Sequence, residues 1–283
     1  MTITRLPTTA ALVLLSLLAG GCQSLTSILN TAPKPSVRIA DARLTNLALD
    51  SATLAFDLEV ANPYSVPLPL MNLEYSLASG GSPFLSGKAE SQGTVPPKSS
   101  KVITVPAKMV FARVLESVKG IRPGSVVPYE VAMTLSVDAP AVGTLSLPIS
   151  KKGQFPVPTV PSIELTEIHW QSLSFDRAVA VMKVKVGNRN EFPVDLSMLS
   201  LSLALADTPI LSTAVDKPAS FLAGQDNTLE IPISFAPRDL GLAAFQIIRG
   251  AGSGYKLSGL LKANTAFGAI DFPYEQTGQT RFR

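Results

Sequence analysis

One cysteine and one histidine, Cys22 and His169, are the only side chains of their kinds in 283 residues. They restrict the chemistry open to the chain. A lone cysteine cannot close an internal disulfide, and a lone histidine cannot build a two-histidine metal site. A serine nucleophile with His169 as base would need the G-x-S-x-G elbow, which does not occur. The stretch GAGSGYK, Gly250 to Lys256, has the composition of a phosphate-cradling loop. Such a loop places its lysine directly after the last glycine; here Tyr255 intervenes, so the stretch reads as a turn into a strand. Asp57 and Glu59, two apart, share the outward face of an alternating segment and read as solvated carboxylates. No calcium-loop spacing occurs. The 24 lysines and arginines, against 21 acidic residues, are scattered singly or in pairs such as Lys151-Lys152. A nucleic-acid groove needs clustered cations. No catalytic residue, metal site, cofactor or nucleic-acid partner is expected.

Cys22 has a different context. Arg5 precedes a short apolar run, Ala10 to Leu18, followed by Ala19-Gly20-Gly21. This is the layout of an export signal, and the run is too short to span a bilayer. LLAGGCQS resembles the bacterial lipoprotein signal, departing from it where Ala19 stands in place of the usual leucine three residues before the cysteine. The resemblance implies removal of residues 1–21, acylation of Cys22, and anchoring to a membrane of the cell envelope. Two acyl chains already give stable anchoring. Gln23, where an aspartate would retain the protein at the inner membrane, implies the outer membrane, facing the periplasm. Residues 22–35, ending in Pro33 and Pro35, read as a tether reaching on the order of 45 Å.

The elements that must position any site come in duplicate. At an offset of 126 residues Asn62 falls on Asn188, Pro67 on Pro193 and Tyr129 on Tyr255; past one deletion, Gly143 falls on Gly268 and Gly153 on Gly278. Leu54, Phe56, Leu58 and Val60 alternate with Thr53, Ala55, Asp57 and Glu59, the period of a strand with one buried face. Ala180, Met182, Val184 and Val186 repeat that face. A slip of one residue would turn it to solvent, so the copies share a core as well as a pattern. Each copy holds one helical segment: Ala107 to Lys119, with a stripe from Val110 to Val118, and one opened by Pro237 with Leu240, Ala244, Ile247 and Ile248 on one face. Both stripes read as core-facing. GQFPVPTVP, residues 153–161, reads as a semi-rigid spacer between domain one, 36–152, and domain two, 162–283. Some seven strands and one helix per copy make a mainly β protein of two tandem β-sandwiches.

In VANPYSVPLPL, Val60 to Leu70, the alternation breaks at Asn62-Pro63. The Asn62 side chain can bond a backbone group two residues on, and Pro67 suits an edge or corner. Copy two keeps Asn188 and Pro193 but has Arg189 in place of Pro63. The two asparagines read as strand-ending turns, with a ligand contact as the functional alternative.

NPYSVPLPLMNLEYSL resembles the water stress and hypersensitive response (WHy) domain of the late embryogenesis abundant type 2 family: Asn62-Pro63, Pro67-Leu68, then Leu73, Tyr75 and Leu77. NRNEFPVDLSMLSLSL is a second, weaker match. The resemblance implies fibronectin-like Greek-key sandwiches and a non-catalytic role in desiccation or other stress, through protein clients. Alternatives are a periplasmic binding module for a lipid or other apolar ligand, and an envelope scaffold.

Overall fold

The computed structural model describes residues 33–90, 93–140, 142–215 and 219–283. The expected signal sequence, Cys22 and most of the tether lie outside the described residues. Copy one comprises β1 (Ser36–Leu47), β2 (Ser51–Ala61), β3 (Leu68–Ser79), β4 (Ser82–Glu90), β5 (Thr94–Val95), β6 (Ser100–Val110), α1 (Phe111–Ser117), β7 (Val126–Ala139) and β8 (Gly143–Pro156). Copy two repeats the order with β9 (Ser162–Leu173), β10 (Ala178–Gly187), β11 (Val194–Leu205), β12 (Thr208–Val215), β13 (Ala219–Phe221), β14 (Asp226–Phe235), a 3₁₀ turn (Pro237–Leu240), α2 (Leu242–Ile248), β15 (Gly252–Thr265) and β16 (Gly268–Phe282).

In copy one, β1-β2-β6 form one sheet and β4-β3-β7-β8 the other, with β5 added to β3. This is the fibronectin-like arrangement: the chain crosses between sheets at each long connection, and each sheet turns one apolar face inward. The alternation seen in sequence is the mechanism. Phe56, Leu58 and Val60 are fully buried, while Asp57 and Glu59 face out. In copy two Ala180, Met182, Val184 and Val186 are fully buried on the matching strand β10. Two apolar cores result, one per copy. The short strands β5 and β13 bring each copy to eight strands, one more than the repeat pattern suggested.

Three boundaries differ from the sequence reading. The first helix begins four residues later than Ala107, because Ala107 and Met109 are buried in the β2–β6 ladder opposite Leu54 and Ala52. Pairing partners outweigh helical periodicity over so short a run. Phe111 and Val114 are buried from α1, whereas Val110 lies outside the helix and is exposed. In copy two the segment opened by Pro237 breaks at Gly241, whose φ of 88° no helix sustains, and restarts as α2 with Ala244 and Ile248 buried. The stretch expected as a spacer from Gly153 starts inside β8: Phe155 is fully buried, 5.6 Å from Phe84 and 6.0 Å from Tyr129 by ring centroids. Irregular chain runs only from Val157 to Pro161, and Pro156, Val157, Pro158 and Pro161 are buried.

The repeated glycines have a packing reason. Gly153 lies opposite Tyr129 across the β7–β8 ladder, and Gly278 opposite Tyr255 across β15–β16. Each tyrosine ring lies over its glycine, so a Cβ at 153 would sit 2.6 Å from the Tyr129 hydroxyl, and one at 278 would sit 2.8 Å from the Tyr255 ring. Glycine in a strand ordinarily costs about 0.5–1 kcal/mol relative to alanine. Here the sign reverses: Gly153→Ala and Gly278→Ala should each destabilise by about 1–3 kcal/mol through overpacking. Urea unfolding checks this; a stabilising alanine at either position would contradict the stacking.

Candidate functional site

β2 ends at a corner built around one side-chain amide. Asn62 is 2% exposed. Its Nδ2 donates to the carbonyls of Val66 (2.8 Å), Val95 (3.0 Å) and Pro96 (3.0 Å), and its Oδ1 accepts from the Tyr64 N–H at 2.9 Å. The corner therefore joins three pieces of chain: the end of β2, the approach to β3, and the β5–β6 connection. Pro63 and Pro67 follow without backbone donors that would need partners. Pro67 is exposed, and Leu68 behind it is fully buried. Asn188 repeats the pattern: its Nδ2 donates to Phe192 (2.8 Å), Phe221 (3.0 Å) and Leu222 (3.3 Å), and its Oδ1 accepts from the Asn190 N–H at 3.0 Å. Pro193 is exposed in the position of Pro67.

The second corner does more. Of the residues that replace Tyr64 and Ser65 of copy one, Asn190 reaches the segment between the copies and Glu191 reaches the other domain. Asn190 exchanges two hydrogen bonds with the Thr159 backbone, accepting from its N–H at 2.8 Å and donating to its carbonyl at 3.0 Å. The Glu191 N–H donates to the Gly124 carbonyl at 2.8 Å, and its carboxylate accepts from the Val126 N–H at 3.0 Å. The Val157 N–H in turn donates to the Ser125 carbonyl at 2.9 Å. The chain between the copies is thus pinned on both sides. Sequence comparison of the copies missed this role, although Asn190 and Glu191 stand where copy two departs from copy one.

The exposed sheet faces carry ion pairs. Arg38 pairs with Glu59; Arg43 bonds Asp57, which also accepts from Thr104 at 2.6 Å. Arg189, in place of Pro63, lies 3.1 Å from Asp226, which Lys185 also meets at 2.9 Å. The Arg43 hydrogen bond, then that of Thr104, holds the Asp57 carboxyl below its ordinary value. The Lys185 hydrogen bond, then the charges of Arg189 and Lys185, does the same for Asp226.

Among the described residues His169 and the glycine-rich stretch stand apart from any catalytic grouping. His169 is exposed on β9 opposite Val181. Its neighbour Trp170 packs edge-on against Phe235 and Phe282 at 6.2 and 6.0 Å. The glycine-rich stretch runs from the end of α2 into β15, where Lys256 meets Glu275 at 2.9 Å. Among the described residues no three His, Cys, Asp or Glu side chains converge on a common point. Among the same residues no helix is long and apolar enough to cross a membrane.

Two outcomes follow from this geometry. Removing Asn62 or Asn188 strands buried carbonyls at roughly 1–3 kcal/mol each. Asn62→Ala and Asn188→Ala should therefore each cost about 2–4 kcal/mol in urea unfolding, and Asn→Asp, which at neutral pH turns a donor into an anion facing carbonyls, should cost more. For Asp57 and Asp226 the folded-state pKa lies below the unfolded value. Their contribution is complete above the ordinary carboxylate range near pH 4 and is lost as pH falls through the folded value. The Tm of the wild type should fall on acidification below about pH 4, and less steeply for D57N/D226N.

The family match repeats along the chain as the two sandwiches do. The family model for late embryogenesis abundant protein, LEA_2, matches twice, over residues 57–153 and 183–278. The desiccation protectant protein Lea14 homolog of Glycine max is 30% identical over 128 residues, covering 45% of this chain and 84% of that protein. Late embryogenesis abundant protein Lea14-A of Gossypium hirsutum is 28% identical over 130 residues, covering 46% of this chain and 86% of that protein. The solution structure of AT1g01470 from Arabidopsis thaliana aligns with 27% identity and a TM-score of 0.38, covering 45% of this chain and 84% of that one. Each of these matches is about the length of a single copy. The chain belongs to the late embryogenesis abundant type 2 family and carries two copies of its domain in tandem.

Proposed function

We propose that this is a non-catalytic, lipid-anchored envelope protein whose two WHy-type domains protect or bind other macromolecules under desiccation and related stress. The observation that carries the reading is the family match in both copies, together with the likeness to a protein described as a desiccation protectant. The fold supports a particular mode of action. Each copy buries an extensive apolar core, so the chain acts through a folded surface rather than as a hydrating disordered polymer. That surface alternates cations and carboxylates, with single exposed apolar residues such as Val102 and Leu242. The anchor rests on LLAGGCQS and on Cys22 being the only cysteine. In this reading the amino-terminal tether holds the domain pair off the outer membrane, facing the periplasm.

Two measurements test this. Cys22→Ser should move the protein from the membrane fraction to the soluble fraction, and intact-mass analysis of the wild type should show acyl chains on a chain beginning at Cys22. A labile enzyme dried or frozen with the protein should keep more activity than with an equal mass of inert globular protein. Equal retention would remove the protective mechanism whatever the anchor does.

A further inference from the structure

The two copies close their sandwiches differently. In copy two β16 pairs in parallel with β9, Arg281 with Glu167 and Phe282 with Ile168, joining the two sheets along one edge. The Tyr255 hydroxyl reinforces the closure by accepting from the Leu165 N–H of β9 at 3.2 Å. In copy one the corresponding edges, β1 and β8, form no ladder with each other. Tyr129, the counterpart of Tyr255, is 5% exposed and lines an open cleft, and its hydroxyl has no hydrogen-bond partner in the protein among the described residues.

The open seam is a cleft of about 380 Å³. Core residues Leu54 and Tyr129 form its floor, and Phe267, from the β15–β16 turn of copy two, forms one wall. Phe267 is held there edge-on to Phe192 at 5.5 Å. The lining carries three cations, Arg43, Lys151 and Lys152, and no carboxylate. Arg43 is committed to Asp57 and Asp41, and Lys152 reaches Glu130 at 3.9 Å. Lys151 is half-buried and makes no ion pair among the described residues. A lysine without an ion pair, a phenol without a protein partner and apolar side chains therefore line one space within the range of small-molecule sites.

We propose that this seam binds a small amphipathic carboxylate, its anionic end on Lys151 and the Tyr129 hydroxyl and its apolar body against Leu54 and Phe267. Burial raises the Tyr129 phenol above its ordinary value, so it stays protonated and can donate. A charge-assisted pair of donors offsets the desolvation of the carboxylate, and the apolar body gains from leaving water. At the corresponding seam of copy two the tyrosine is already bonded and the edges are paired. One wall belongs to the second domain, so the site needs the docked pair. The inference does not depend on the protective role.

Calorimetric titration of the full chain with octanoate tests it, with octan-1-ol and inorganic phosphate as comparison probes. Octanoate should bind once per chain, octan-1-ol at least about tenfold more weakly, and phosphate not at all. Lys151→Ala should weaken octanoate at least about tenfold, and Tyr129→Phe, which keeps the ring packing and removes only the hydroxyl, several-fold. Phe267→Ala should also weaken it, whereas Lys88→Ala, on exposed β4, should not. The proposal is overturned by absence of octanoate binding, by octan-1-ol binding as tightly, by phosphate binding equally, or by Tyr129→Phe and Lys151→Ala leaving the affinity unchanged.

Discussion

In each domain one buried amide, at the end of the second strand, organises the rest of the sandwich. Where a strand must stop and the chain cross to the opposite sheet, backbone carbonyls are left inside the protein without ladder partners. Leaving them bare would cost more than most single contacts return. The Nδ2 groups of Asn62 and Asn188 meet three such carbonyls each, and their Oδ1 atoms take up an N–H two residues on. Because the carbonyls belong to separate stretches of sequence, the amide fixes both a turn and the position of the β5 or β13 segment that follows some thirty residues later. Strand order and sheet crossing depend on it.

The same corner serves different ends in the two copies. In copy one it is followed by Pro63, Tyr64 and Ser65; in copy two Arg189, Asn190 and Glu191 occupy those places. The capping hydrogen bonds are unchanged, while the replaced residues become an ion-pair partner for Asp226, an anchor for the connecting segment at Thr159 and an anchor for the preceding domain at Val126. A motif needed for folding has thus been extended into an interface by changing residues that the fold itself leaves free. The edges of the sandwiches diverge in the same way: copy two pairs β9 with β16, and copy one leaves β1 and β8 without a ladder between them.

Period-two alternation made the strands legible, since burial on one face leaves a regular trace in residues such as Phe56 and Val184. The 126-residue offset made the duplication and the two asparagine corners legible as well. Short-range competition was not legible. Ala107 and Met109 suit a helix by spacing, and only the presence of β2 alongside decides for a strand. The extent of β8 depended on Phe155 finding a ring cluster in the first core, which proline content alone could not reveal. The contacts of Asn190 and Glu191 depend on where Thr159 and the Gly124–Val126 backbone lie in space. The open seam emerges only when the hydrogen bonding of Tyr129 is set beside that of Tyr255.

The largely buried connection from Pro156 to Pro161 bears on how the molecule would meet proteases. Connections between tandem modules are usually the first places to be nicked, because they are solvent-exposed and can lie extended in a proteolytic cleft. Here the connection is turned inward, rich in prolines that obstruct such binding, and held by Thr159 and Val157. Digestion that stops short of unfolding should leave both modules joined.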